Sequence, residues 1–120
     1  MPNFLDNVRY ASAGIRSFFT TEKNGRIQGL VAIITITSGF AFGITTLEWM
    51  LVLGCIVLVI SLEMVNSAIE KVCNLITTEY NPAIKTIMDI AAGAVVFAAV
   101  VTAIIGAIIF VPYFREILNI

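Results

Sequence analysis

The sequence predicts an all-α integral membrane protein with three transmembrane helices and an amphipathic surface helix at the amino terminus. Hydrophobic residues make up 59% of the 120 residues and charged residues only 12%, with a mean hydropathy of +0.99. This composition leaves too little polar surface for a water-soluble domain of this size. The apolar residues are also concentrated in three long segments, and each segment is long enough to cross a bilayer as a helix.

The composition also excludes several functional classes. The net charge of −1 lacks the basic excess that is typical of nucleic-acid-binding proteins. The chain contains no histidine, so a catalytic triad or a metal site built on histidine is excluded. Cys55 and Cys73 are 18 positions apart on one predicted helix, too far apart to form a disulfide within the chain. Residues 1–120 are expected to form a single domain.

Residues 1–26 are predicted to form the amphipathic surface helix and a turn. Apolar side chains recur there at spacings of three and four, and most charged residues lie on the other face. This pattern is typical of helices that lie in the membrane interface. The apolar set is Phe4, Leu5, Val8, Ala11, Ile15, Phe18 and Phe19. The turn is expected at Asn24-Gly25, a turn-prone pair.

Membrane spans are predicted over residues 27–47, 49–76 and 85–110. The second includes a cytoplasmic extension, and residues 77–82 are expected to form a short polar loop. The third carries two ridges of small residues at every fourth position, which let helices approach closely and predict a closed cyclic oligomer. The ridges are Ala94-Ala98-Thr102-Gly106 and Ala99-Ala103-Ala107.

The basic residues predict the orientation of the chain in the membrane. Six of the seven basic residues precede the first span or flank the loop between the second and third spans, and only Arg115 lies on the other side. By the positive-inside rule, the amino terminus and the second loop are cytoplasmic and the carboxyl terminus is outside. Ionisable residues from three segments then meet at the cytoplasmic face, namely Glu22, Glu63, Glu70, Lys85 and Asp89.

The most informative stretch runs from Glu63 to Glu70, where the apolar part of the second span ends. On a helix these two carboxylates lie only about 20° apart in projection, with Asn66 and Asn74 close to the same side. Ionisable groups at such a depth are costly, so they indicate a functional site. Carboxylates near a lysine suit Mg²⁺ with a phosphate ligand, and a carboxylate can act as a base toward a hydroxyl. The pattern alone leaves open an enzyme, a transporter or channel subunit, and a purely structural membrane protein.

Three motifs spread over nearly the whole chain resemble those of a known family. They are Thr21-Glu22-Lys23-Asn24-x-Arg26-Ile27, Glu63-x-x-Asn66-x-Ala68-Ile69-Glu70 and Asp89-x-Ala91-Ala92-Gly93-Ala94-Val95. Together they resemble the prokaryotic diacylglycerol kinase family, which includes the undecaprenol kinases. The resemblance implies a homotrimer in the bacterial inner membrane that phosphorylates a lipid alcohol with MgATP at the cytoplasmic face. The expected substrate is undecaprenol, otherwise diacylglycerol, and the alternative is a catalytically degenerate relative or a non-catalytic subunit of a membrane assembly.

The resemblance also implies catalytic roles for three residues. Glu63 resembles the general base that faces the lipid hydroxyl. Asn66 resembles a residue that orients the base and the substrate. Asp89 resembles the acid of the motif at the start of the third span.

Four further residues are implied at the nucleotide and its metal ion. Glu22 and Glu70 resemble the carboxylates that hold Mg²⁺ on the nucleotide phosphates. Lys85 resembles a basic residue near those phosphates. Asn74 is expected beside the nucleotide, where the family commonly has Asp.

Two other positions depart from the family pattern. Met88 stands where the family usually has a lysine that would contact phosphate, so either Lys85 substitutes for it or the phosphate site is weakened. Gly25 replaces a typically bulky apolar residue, which is expected to loosen the turn after Glu22. The candidates also have purely structural alternatives: Glu22 paired with Arg26, Glu70 paired with Lys71 or Lys85, and Asp89 as the cap of the third membrane helix.

Overall fold

The computed structural model describes residues 3–120, which form four helices. They are α1 (Phe4–Thr21), α2 (Lys23–Phe42), α3 (Thr46–Ile76) and α4 (Pro82–Leu118). No strand occurs within residues 3–120. Helices α2, α3 and α4 are long and apolar enough to cross a membrane. The predicted all-helical fold with three membrane-spanning helices is therefore confirmed.

The junction between α1 and α2 is a single residue, Glu22, whose backbone is extended at φ −87° and ψ 131°. Asn24 and Gly25 lie inside α2, so the turn predicted at this pair is wrong. Gly25 is buried against Phe18, and a Cβ at this position would overlap the carbonyl oxygen of Phe18. The predicted loosening is therefore also wrong, because the missing side chain lets the two helices approach closely.

The turn between α2 and α3 begins earlier than the sequence predicts. Helix α2 ends at Phe42, so the predicted span 27–47 is too long at its carboxyl end. Gly43 adopts the left-handed conformation at φ 63°, which ends a helix without the steric cost of a Cβ. Helix α3 then begins with a capping box, in which Thr45 Oγ1 accepts from the N–H of Glu48 at 3.2 Å and Glu48 accepts from the N–H of Thr45 at 2.9 Å.

Helix α4 extends beyond the predicted span 85–110 at both ends. The side chain of Asn81 accepts hydrogen bonds from the backbone N–H groups of Ala83 and Ile84 at 2.9 and 3.3 Å. Pro82 occupies the first turn, where no backbone N–H is needed. Asn81 thus caps the helix, and the alternative role of Asp89 as its cap is wrong.

One cluster of the buried core lies at the end of the bundle that carries the α2–α3 turn. Ile44, Val52 and Ile109 form this cluster, and aromatic side chains pack around it. The hydroxyl of Tyr113 donates to the carboxylate of Glu48, which ties α4 to the start of α3. Elsewhere the apolar faces of the long helices are largely exposed in the single chain. Such faces are typical of helices that contact lipid or other chains.

Candidate active site

Glu63 is buried within the apolar part of α3. Its exposed fraction is 8%, and it is the one charged residue that is buried among residues 3–120. No hydrogen bond or ion pair joins its side chain to another residue of the described chain, but neither of its carboxylate oxygens is fully enclosed. An ionisable group at this depth of an apolar helix is costly, and such positions typically serve a function.

The polar stripe on α3 runs from this buried carboxyl group towards water. Glu63 is buried, Asn66 is partly buried, and Glu70 and Asn74 are exposed. The rise of a helix separates Glu63 from Glu70 by about 10 Å along the helix axis. One helix face therefore presents a carboxyl group within the apolar layer and a second carboxylate at its aqueous edge.

Glu22 is joined to this end of α3 by an ion pair with Lys71, the residue after Glu70. The side chain of Glu22 is 27% exposed and that of Lys71 is 66% exposed. The alternative pairing of Glu22 with Arg26 is wrong, because the guanidinium of Arg26 donates to the carbonyl of Thr20 at 3.1 Å. The ion pair brings the α1–α2 junction to the end of the bundle where the polar stripe ends.

Lys85 and Asp89 form a second ion pair, one turn apart on α4, with Nζ and Oδ2 separated by 2.7 Å. Both side chains are exposed. The alternative pairing of Lys85 with Glu70 is therefore wrong. An exposed pair at this spacing stabilises a helix by only about 0.3–0.5 kcal/mol. Both groups thus remain available to a ligand at small cost, although neither forms a hydrogen bond or ion pair with Glu63 or Glu70 within the described chain.

The donor set suits a magnesium ion held together with phosphate. Residues 3–120 contain no cluster of three or more His, Cys, Asp or Glu side chains that could hold a metal. Mg²⁺ in phosphoryl-transfer sites is usually bound by one or two carboxylates, with water and substrate phosphates as the other ligands. Glu22 and Glu70 supply this number, and the ammonium of Lys71 already lies against one of them. Whether both carboxylates share one metal ion stays a prediction.

An apolar cavity of about 350 Å³ lies between α2, α3 and α4. It reaches Ile60, one turn before Glu63, and the polar side chain of Gln28 also lines it. Several of its wall residues are the small residues of the α4 ridges, including Ala99, Ala103 and Gly106. The sequence predicted a packing role for these ridges and did not reveal that they line a cavity.

Lys71 was not among the site residues predicted from the sequence. The position of Lys71 directly after Glu70 was the signal that could have identified it.

Comparison with known proteins identifies the family. Residues 9–110 match the family model described as prokaryotic diacylglycerol kinase. The chain belongs to this family. The matched residues contain all seven site candidates, and the predicted family resemblance is confirmed. The protein is therefore a multi-pass membrane lipid kinase of the prokaryotic diacylglycerol kinase family.

Three relatives illustrate the range of the similarity. The chain is 37% identical to the undecaprenol kinase of Bacillus subtilis (strain 168) over 109 residues, which cover 91% of this chain and 89% of the relative. It is 35% identical to a diacylglycerol kinase of Synechocystis sp. over 114 residues, covering 92% of this chain and 64% of the relative. It is 30% identical to the diacylglycerol kinase of Haemophilus influenzae over 111 residues, covering 92% and 94%.

Proposed function

We propose that this lipid kinase transfers the γ-phosphate of MgATP to the hydroxyl group of undecaprenol, with diacylglycerol as the alternative substrate. The observation that carries the proposal is Glu63, a buried residue whose carboxylate has no hydrogen-bond or ion-pair partner in the described chain, followed on the same helix face by the exposed Glu70. This arrangement suits a lipid hydroxyl at the apolar end and phosphate at the aqueous end. Undecaprenol is favoured because this chain is 37% identical to an undecaprenol kinase over 91% of its length.

Glu63 is proposed as the general base. Its carboxylate accepts the proton of the lipid hydroxyl as the hydroxyl oxygen forms a bond to the γ-phosphorus. The bond between that phosphorus and the β–γ bridging oxygen breaks, and ADP leaves with the electron pair. Asn66 lies one turn along α3 and is partly buried, so its carboxamide can hold both the base and the hydroxyl in position.

The nucleotide is proposed to bind at the aqueous end of the polar stripe. Glu22 and Glu70 would hold Mg²⁺, which neutralises negative charge on the transferring phosphate when it is bound. Asn74 continues the stripe one turn beyond Glu70 and can donate a hydrogen bond to the nucleotide. Lys85 and Asp89 on α4 would face the same space once their exposed ion pair opens.

The proposed assembly is a homotrimer in the bacterial inner membrane. The exposed apolar faces of the three long helices and the small-residue ridges of α4 favour packing against further copies of the chain. Each site would then lie at a seam between chains, which can bring Asp89 to Glu63 although no hydrogen bond or ion pair joins them within the described chain. Helix α1 (Phe4–Thr21) would lie in the cytoplasmic interface, with the carboxyl terminus on the outside.

Phosphate transfer in a defined membrane tests the proposal directly. The purified protein in lipid nanodiscs receives γ-labelled ATP, Mg²⁺, and undecaprenol or diacylglycerol at equal mole fraction. We expect labelled lipid phosphate with both alcohols and a higher kcat/KM with undecaprenol. A higher kcat/KM with diacylglycerol would reverse the substrate assignment. No transfer to either lipid, by a protein that remains folded, would favour a degenerate or non-catalytic relative.

A further inference from the structure

Lys71 is the cation that the structure holds against a candidate metal-binding carboxylate. Its ammonium pairs with Glu22, and the preceding residue in α3 is Glu70. Two other cations near this end of the bundle have partners of their own. Lys85 pairs with Asp89 on α4, and Arg26 donates to a backbone carbonyl at the end of α1.

The negative charge of the proposed site favours a cation from the protein in addition to Mg²⁺. ATP remains anionic after it has bound one Mg²⁺, and Glu22 and Glu70 add further negative charge. Phosphoryl transfer depends on neutralising such charge where the phosphates lie. The residue before Asp89 is the uncharged Met88, so the start of α4 supplies only Lys85, whose charge is offset by Asp89.

We propose that Lys71 is the cation that binds the nucleotide phosphates. Its ammonium pairs with Glu22 in this structure, and when nucleotide binds it exchanges that carboxylate for phosphate oxygens. Two properties keep the free-energy cost of this exchange small. The Lys71 side chain is 66% exposed on a flexible four-carbon stem, and an exposed ion pair contributes little to stability.

This inference rests on the proposed lipid kinase function and adds a nucleotide-binding residue to it. A purely structural role is the competing explanation, in which Lys71 only fixes Glu22 and thereby the α1–α2 junction. The two roles differ once Glu22 has lost its charge. A phosphate-binding lysine still contributes to nucleotide affinity in that background, whereas a lysine that only holds Glu22 does not.

The test is equilibrium binding of MgATP to protein in nanodiscs without lipid substrate, which measures affinity independently of turnover. Lys71→Met should weaken MgATP binding about tenfold, the size expected for loss of one charge-assisted hydrogen bond. Lys71→Arg keeps the charge and should restore most of the affinity. Lys23→Met is the matched control, because it removes one exposed lysine directly beside Glu22 and should leave binding nearly unchanged.

The decisive comparison repeats Lys71→Met in a Glu22→Gln background. A similar further loss of affinity supports the phosphate contact, and no further loss overturns it. Equal weakening by Lys23→Met would also overturn it, since any lost charge would then have the same effect. If Glu22→Gln binds too weakly to measure, the single variants still decide: unchanged binding in Lys71→Met refutes the inference. Wild-type protein that transfers no phosphate refutes the proposed function instead.

Discussion

Glu63→Gln is expected to remove most of the phosphate transfer while leaving the protein folded. The substitution keeps the shape of the side chain and removes its basicity. Glu63 is 8% exposed and has no hydrogen-bond or ion-pair partner within residues 3–120, so the change to an amide of the same shape breaks no polar interaction in the described chain. A positioned general base contributes about 10²–10⁴-fold to a rate. We therefore expect turnover to fall by that factor, which corresponds to about 3–5 kcal/mol of activation free energy.

The assay measures labelled lipid phosphate at saturating lipid and MgATP. The affinity for MgATP should stay close to the wild-type value, because Glu63 lies about 10 Å along the helix axis from Glu70. Glu79→Gln is the matched control, since it makes the same chemical change at an exposed carboxylate in the loop between α3 and α4. If Glu63→Gln retains more than about half of the activity, a base that contributes the expected factor is refuted.

Three further predictions concern the metal, the α1–α2 junction and the assembly. Glu70→Gln should raise the Mg²⁺ concentration needed for half-maximal activity, and an unchanged Mg²⁺ titration would argue against a metal ligand. Gly25→Ala should lower the thermal unfolding temperature, since overpacking typically costs about 1–3 kcal/mol, whereas Gly14→Ala at an open helix position should not. Co-assembled Glu63→Gln and Asp89→Asn chains should regain activity if each site is shared between chains, and no rescue in verified mixed oligomers would place both residues on one chain.

The features that the sequence predicted correctly are those that depend on interactions between residues close together in the sequence. Apolar segments of sufficient length predicted three membrane-spanning helices, because backbone polar groups in lipid must be satisfied within each helix. The polar face of α3 followed from the helical repeat, which places Glu63 and Glu70 on nearly the same side whatever the surrounding structure. The motifs in that stretch and around Glu22 and Asp89 were also sufficient to identify the family.

The predictions were wrong where the structure depends on a special backbone conformation or on contacts with residues outside the local sequence. Helix α2 ends because Gly43 adopts the left-handed conformation. The residues from Gly43 to Leu47 are uncharged, so hydropathy does not reveal where the helix ends. Gly25 was interpreted as a loosening residue, since nothing in the local sequence reveals that the carbonyl of Phe18 lies against it. Similarly, the charges near Glu22 offered several partners, and the sequence suggested Arg26 because it lies one turn away.

The sequence by itself determined the fold class, the number of membrane-spanning helices, the family and the polar face of α3. All of these follow from composition, helical periodicity and local motifs. Only the tertiary structure decided that Glu22 pairs with Lys71 and that a cavity lies between the three long helices. The physical reason is that an ion pair or a cavity depends on distances between side chains from different turns and helices, and packing sets those distances.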